Sequence, residues 1–379
     1  MLPVLSSNLF FLSALICATM VFVCSAKRWE IILAGVIGLV SGLIFRIPSN
    51  FLPTQVMLWL AWWGVGGFIV TTFGIYRTQT GRNVRMLLIR RMAFAPLAAF
   101  LGNLFVTISA QMTPLTLDRY LYAADGSFGF QPGFACRAFL MSHEWLRLTT
   151  GVAYVNLPLL AMLLYLLVGR RIPADTLRVV RLLSAVGLIG YILYYFFPAA
   201  GAEVVLGAKF PFHPPDVASM TLAPIPVAFA PRNFMPSLHT AWCLAIYWPA
   251  RQLSKVWRTS LLAIVALTLL YTLSCHYLVD MIAAIPFTLA MYALVENRLP
   301  WSHSARRLAL CAGAGCFAAW LFVLRFGTAL LLVSPVVSWI AVALTVALCW
   351  RCLYAEPVVA ESLSDVREGN LALSSPLLT

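Results

Sequence analysis

Apolar residues run through this chain in long blocks, separated by short clusters of Arg, Lys and Pro. A helix that crosses a bilayer needs about 20 consecutive, mostly apolar residues. Eleven stretches meet that pattern, near 4–25, 29–47, 53–75, 92–111, 150–168, 182–198, 237–253, 256–273, 276–295, 308–325 and 329–350, and Arg251 interrupts the seventh. The pattern predicts an all-α, polytopic integral membrane protein with about eleven transmembrane helices. No internal repeat is visible.

Two connections, 112–149 and 199–235, are far longer than turns. Connections of that length are usually functional or disordered, and their aromatic and proline content points to packed structure. The first carries Asp118, Arg119, Tyr120, Tyr122, Asp125, His143, Glu144 and Trp145. The second carries Glu203, Lys209, His213, Asp216 and Arg232. Trp145, Phe210 and Phe212 fit the interfacial anchors common at such depths.

Composition agrees with the pattern: 62% of the 379 residues are hydrophobic and 10% charged, against about 25% charged in a soluble domain. The net charge of +13 raises the question of nucleic acid, and its distribution answers it. With the amino terminus outside, 19 of the 26 Lys and Arg fall on the cytoplasmic side, from Lys27 and Arg28 to Arg351 and Arg367. The opposite threading violates the positive-inside rule at nearly every loop. The basic loops therefore fix topology and touch anionic headgroups, and no nucleic-acid partner is expected. No basic region precedes the first span and no clear cleavage signal follows it, so it is expected to be retained. Of the nine cysteines, six lie in apolar spans, where packing is the ordinary role. Cys136 in the first long connection and Cys275 leave a disulfide open.

Ionisable residues inside apolar runs are costly and mark functional sites. His276 and Asp280 stand one helical turn apart at the start of one run, and His239 begins another after Pro236 and Ser237. Residues four apart share a helix face, so Asp280 is placed to accept from one nitrogen of His276 and leave the other as a nucleophile. Pro236 and Ser237 are helix-start residues, and a free amide end there favours a phosphate oxygen. Zinc is the rival use of two His and one Asp, but no third or fourth ligand can be placed, so no metal or cofactor is expected.

The segment Arg232, Asn233, Phe234, Met235, Pro236, Ser237, Leu238, His239, Thr240, followed by Ser274, Cys275, His276, Tyr277, Leu278, Val279, Asp280, resembles the paired motifs of the type-2 phosphatidic acid phosphatase superfamily. Within it, the likeness is to the branch of inositol phosphorylceramide synthase and, more distantly, sphingomyelin synthase. It covers about half the chain and implies a six-helix phosphatase-like catalytic core. The resemblance implies that His276 attacks phosphorus and becomes a phosphohistidine, that Asp280 orients it, and that His239 protonates the departing oxygen and then serves as base.

Some positions depart from the phosphatases of that superfamily. They usually have Gly where this chain has Leu238, and Arg where it has Leu270. Their first motif, Lys followed seven positions later by Arg and then Pro, is absent. The synthase branch shares these losses. Phosphate charge must still be met, and Arg232 is the expected cation, with Lys209 second. Ser237 and Tyr277 complete the expected substrate contacts.

The expected organisation is three amino-terminal helices over 1–91, the catalytic core over 92–296, two carboxy-terminal helices over 297–354 and a flexible tail over 355–379. The expected function is transfer of a phospho-headgroup from a phospholipid to a lipid hydroxyl, with membrane lipids as donor and acceptor and no obligate protein partner. Hydrolysis of a lipid phosphate or polyprenyl diphosphate by water shares the same first step. A transporter or structural protein with non-catalytic histidines is the reading from another class, against which stands the lack of inverted repeats and Gly-interrupted helices. Outer-face chemistry means periplasm for a bacterial inner membrane, which the lack of any Asn-x-Ser/Thr fits, or lumen in a eukaryote.

Overall fold

The structure is a computed structural model and describes residues 28–44, isolated positions between 62 and 73, 105–106, 108–157, 160–161, 173–227, 230–250, 253–297 and 299–354. The expected spans at 4–25, 53–75 and 92–111 lie wholly or largely outside the described residues, as does the second half of 150–168. So do Arg46, the basic cluster Arg77 to Arg91, Arg170, Arg171, Arg251, Arg298 and the tail beyond Tyr354.

The described part is mostly helical. In chain order the helices are α1 (Arg28–Ile44), α2 (Asp118–Gly126), α3 (Pro132–Ser142), α4 (Glu144–Val155), α5 (Pro173–Phe196), α6 (Ala202–Leu206), α7 (Leu238–Ala250), α8 (Lys255–Cys275), α9 (Leu278–Val295), α10 (Ser304–Phe326), α11 (Thr328–Leu331) and α12 (Pro335–Tyr354). A two-residue antiparallel ribbon, β1 (Leu115–Thr116) with β2 (Ile225–Pro226), pairs Leu115 with Pro226 and Thr116 with Ile225. It is a small departure from an all-α fold, and it ties the two long connections together.

Among the described residues four helices, α8, α9, α10 and α12, are long and apolar enough to cross a membrane. Their burial differs in a way that orders the bundle. Within the protein 67% of the apolar window of α9 is buried, against 28%, 28% and 22% for α8, α10 and α12. α9 is therefore the central helix, and the others turn apolar faces outward, with Val336, Ile340, Leu344 and Trp350 of α12 exposed. Apolar surface on this scale is stable where lipid covers it. α9 packs against α2, α5, α7, α10 and α12, whereas α8 packs against α3, α4 and α7. α9 and α10 approach closely at Gly313, where a Cβ would come within 2.6 Å of the Ala290 nitrogen.

The long connection at 112–149 is largely helix rather than loop. Asp118, at the first position of α2, and Pro132, at the start of α3, explain why: an acidic residue and a proline both favour a helix's first turn. α2 is short and polar on average, yet Tyr120, Leu121, Tyr122, Ala123 and Ala124 are all buried in it. Their partners are distant in sequence, so periodicity within the connection gives no sign of them. The connection at 199–235 holds α6 and short helical turns at Gly207–Lys209 and Val217–Ser219. Phe210 is not an interfacial anchor but packs edge-on to Phe134 at 4.8 Å, while Trp145 and Phe212 are exposed. Cys136 and Cys275 are both free thiols.

Candidate active site

His276 sits in a break between two helices. α8 ends at Cys275 with His276 as its C-cap (φ −102, ψ 168), and α9 starts at Leu278 with Tyr277 as its N-cap. The run expected at 276–295 thus begins two residues later. Asp280 is the third residue of α9, and its Oδ2 accepts from His276 Nδ1 at 3.0 Å and from the Tyr277 main-chain N–H at 3.3 Å. The second bond is the carboxylate half of a capping box, which closes the helix's first turn. His276 and Asp280 therefore do not meet as neighbours on one helix face, as their spacing predicts. A cap folds the histidine back onto the carboxylate. Nδ1 is spent on Asp280, which leaves Nε2 outside that bond. The Phe234 ring lies 4.4 Å from the imidazole and fixes its other side.

His239 comes from the first turn of α7. Ser237 caps that helix: its Oγ accepts from the Thr240 N–H at 3.4 Å and from the Thr240 hydroxyl at 3.1 Å. The Ser237 N–H donates to the Asp280 carbonyl at 3.3 Å, so the two motif segments are joined through backbone. The His239 ring stacks on Tyr154 at 3.8 Å and 16°, and meets His276 edge-on at 6.0 Å between centroids. Leu238 fills the space left by Gly190 of α5; a Cβ on Gly190 would collide with it.

Two carboxyl groups that look like loop residues in the sequence are buried behind this pair. Asp118 accepts from the main-chain N–H of Ala200 (2.9 Å) and Gly201 (2.7 Å) and from the Tyr277 phenol (3.0 Å). Asp125 accepts from the N–H of Leu278 (2.8 Å) and Val279 (3.0 Å). Burial raises both above the usual carboxylate range, against the opposing pull of those N–H bonds, and pushes Asp125 up to about 8. Gly201 holds φ +90, and a side chain there would strike the Phe234 ring. Gly201 and Asp118 therefore support His276 through Phe234 and Tyr277.

The remaining expected contacts fall elsewhere. Tyr277 is buried and its phenol is committed to Asp118. Arg232 is fully buried, and its three guanidinium nitrogens donate to main-chain carbonyls of Thr113 (2.9 Å), Ala230 (2.6 Å) and Val227 (3.0 Å). It ties the two long connections together instead of facing an open site, because carbonyls left by irregular backbone need donors where water is absent. Lys209 is exposed at the end of a helical turn. Tyr122 of the first long connection gives its hydroxyl to the Pro215 carbonyl at 2.7 Å. Sequence reasoning missed Tyr154 and Phe234 as ring partners of the histidines. Among the described residues no group of three or more His, Cys, Asp and Glu is arranged to hold a metal ion.

Two histidines 6.0 Å apart, one backed by a carboxylate, form a pair that a single reacting group can bridge. Residues 119–294 match the PAP2 superfamily. That stretch contains both histidines, Asp280, Asp125 and Tyr154, and the match supports phosphatase or phosphotransferase chemistry in general. No curated protein and no solved structure matches the chain.

Proposed function

We propose that this protein is an integral-membrane lipid phosphotransferase that moves a phospho-headgroup from a phospholipid to a lipid hydroxyl through a phosphohistidine on His276. The observation that carries the reading is the His276–Asp280 bond of 3.0 Å with the His239 ring 6.0 Å away. Nε2 of His276 attacks phosphorus as the bond from phosphorus to the donor's lipid oxygen breaks. His239 gives that oxygen its proton, and the imidazolium forming at His276 is stabilised by Asp280. In the second half His239 takes the proton of the acceptor hydroxyl, whose oxygen attacks phosphorus and releases the His276 nitrogen.

Burial favours a lipid acceptor over water. His276 is 4% exposed, and His239 is walled by Tyr154 and Trp242. A dry site protects a phosphoryl intermediate from hydrolysis. The apolar outer faces of α8, α10 and α12 fit residence in a bilayer, and the distribution of basic residues supports chemistry on the outer side, periplasmic in a bacterium. The test is product analysis: full-length protein in vesicles with a headgroup-labelled phospholipid, with and without a long-chain lipid alcohol. Label on the alcohol supports transfer. Release of free headgroup phosphate at the same rate with and without the alcohol makes the protein a hydrolase.

A further inference from the structure

Phosphoryl transfer spreads negative charge over the non-bridging oxygens, and a cation aimed at them lowers the barrier. Charge distribution assigns seven basic residues to the outer side, and six of them are described. Arg232 is spent on carbonyls. Arg147 forks onto Glu144 at 2.9 and 2.6 Å. Arg119 donates to the Thr221 carbonyl, Arg325 lies over the Tyr120 ring at 4.8 Å, and Lys209 is exposed. Arg137 is different. Its side chain is 16% exposed, its Nη1 is buried without a hydrogen-bond partner, and its Nη2 reaches Glu203 only at 3.7 Å.

The position of Arg137 gives that open nitrogen a use. Gly133, one turn earlier on α3 and so on the same face, lies against the nucleophile's own backbone: a Cβ there would be 2.9 Å from the His276 carbonyl oxygen. One residue before Arg137, the Cys136 thiol donates to the Leu270 carbonyl of α8 at 3.3 Å. The Tyr271 phenol interacts with the guanidinium through a hydrogen bond that leaves Nη1 open, and the Cys275 thiol, next in sequence to His276, faces it. The Tyr271 ring lies 5.0 Å from Tyr154, which stacks on His239. Arg137 thus stands where α3 and α8 meet, removed from each histidine by intervening side chains: from His276 by Cys275, and from His239 by Tyr271 and Tyr154. A buried guanidinium N–H without an acceptor is costly, and a phosphate oxygen is the acceptor it suits best.

We propose that Arg137 is the phosphate-binding residue of this site, with Nη1 donating to a non-bridging oxygen while Nε2 of His276 faces phosphorus. The assignment rests on the phosphotransfer reading above. Its test uses the full chain in detergent and inorganic phosphate as the probe, with binding followed by calorimetry and folding by thermal melting.

Arg137→Ala is expected to weaken phosphate binding about 10- to 100-fold, the loss of one charge-assisted bond. Arg137→Lys keeps the charge without the fork and is expected to lie between. Glu203→Gln, which removes the competing carboxylate, is expected to bind phosphate as well as wild type or better. His276→Ala should keep phosphate affinity within a few-fold while losing the covalent phosphoenzyme. Wild-type affinity in a folded Arg137→Ala overturns the proposal, as does failure of the wild type to bind phosphate saturably. An equal loss in Glu203→Gln also overturns it, because it makes the ion pair the only role of Arg137. If Arg137→Ala does not fold, Arg137→Lys decides: reduced affinity at an unchanged melting point supports the site, and unchanged affinity ends it. Turnover surviving in His276→Ala, with affinity lost in Arg137→Ala, sinks the nucleophile and leaves the phosphate site standing. The reverse pattern sinks the phosphate site alone.

Discussion

Asp125 on α2 accepts the main-chain N–H of Leu278 at 2.8 Å, across 153 residues of sequence, and that of Val279 at 3.0 Å. These are the first two amides of α9, which a helix cannot satisfy from within. The carboxyl group therefore caps the central helix from outside and holds the turn in which His276 and Asp280 meet. Asp125→Ala removes both bonds at a buried site and is expected to cost about 1–3 kcal/mol. A lower melting temperature in detergent, with slower phosphoenzyme formation, is the predicted result. An unchanged melting point makes the cap energetically idle.

The same residue gives the fold a pH dependence of definite sign. Burial pushes the Asp125 carboxyl up to about 8, whereas in an unfolded chain it titrates near 3.9. Its contribution is full below about 4, declines as the unfolded chain ionises between about 4 and 8, and is gone once the folded group ionises too. Asp280, Tyr122 and Tyr277 are the titratable groups facing it. Wild-type melting temperature should fall from pH 5 to pH 9, and Asp125→Asn should flatten that slope. Equal slopes in the two proteins would place the pH dependence elsewhere.

In the proposed reaction Asp280 has two duties, and an amide can do only one of them well. In Asp280→Asn the side-chain oxygen still accepts from the Tyr277 N–H, so the first turn of α9 survives. The amide cannot stabilise a developing imidazolium, and in a triad such a change lowers the rate by up to about 10⁴-fold. Rapid-quench measurement of phosphoenzyme formation should show a fall of at least about 100-fold at a melting point near wild type. His276→Ala should give no phosphoenzyme at all. A phosphoenzyme persisting in His276→Ala refutes the nucleophile assignment.

Arg232, so close in sequence to His239, acts on stability before anything else. Its guanidinium serves three main-chain carbonyls, each a charge-assisted bond whose loss leaves a buried acceptor. Arg232→Ala should lower the melting temperature sharply and reduce the yield of folded protein. Arg232→Lys should recover little, because a point charge cannot serve three carbonyls in a planar fork. A well-folded Arg232→Ala that has lost phosphate affinity would return this residue to the role the sequence assigns it.

What the sequence makes legible follows from contrast. His239, His276 and Asp280 stand out because ionisable groups are rare in apolar runs, and the structure brings the two histidines to 6.0 Å. The turn that brings them together is less legible, because Cys275, His276 and Tyr277 interrupt an almost unbroken apolar stretch with no Gly or Pro to mark the break. Tyr154 is hidden for the opposite reason: an aromatic in an apolar run looks like core until a histidine ring is found 3.8 Å from it. Asp118, Asp125 and Arg232 read as loop residues because their partners lie far away along the chain. Only the fold shows that all three are buried.

Topology is the last point at which sequence and site must agree. The positive-inside rule places the segment around Lys255 and Arg258 on the cytoplasmic side, and α7 and α8 each start or end there. The start of α7, the end of α8 and the 199–235 connection must then lie together on the outer side, with His239 and His276. Single cysteines at exposed Ala218 and exposed Lys255 read the two sides directly, in a chain whose exposed Cys311 is replaced by Ser. A membrane-impermeant maleimide added to sealed cells should label Ala218→Cys, and should label Lys255→Cys only after the membrane is opened. Labelling of Lys255→Cys from outside would invert the threading. The histidine pair would then face the cytoplasm, and an acceptor on the outer leaflet could not reach it.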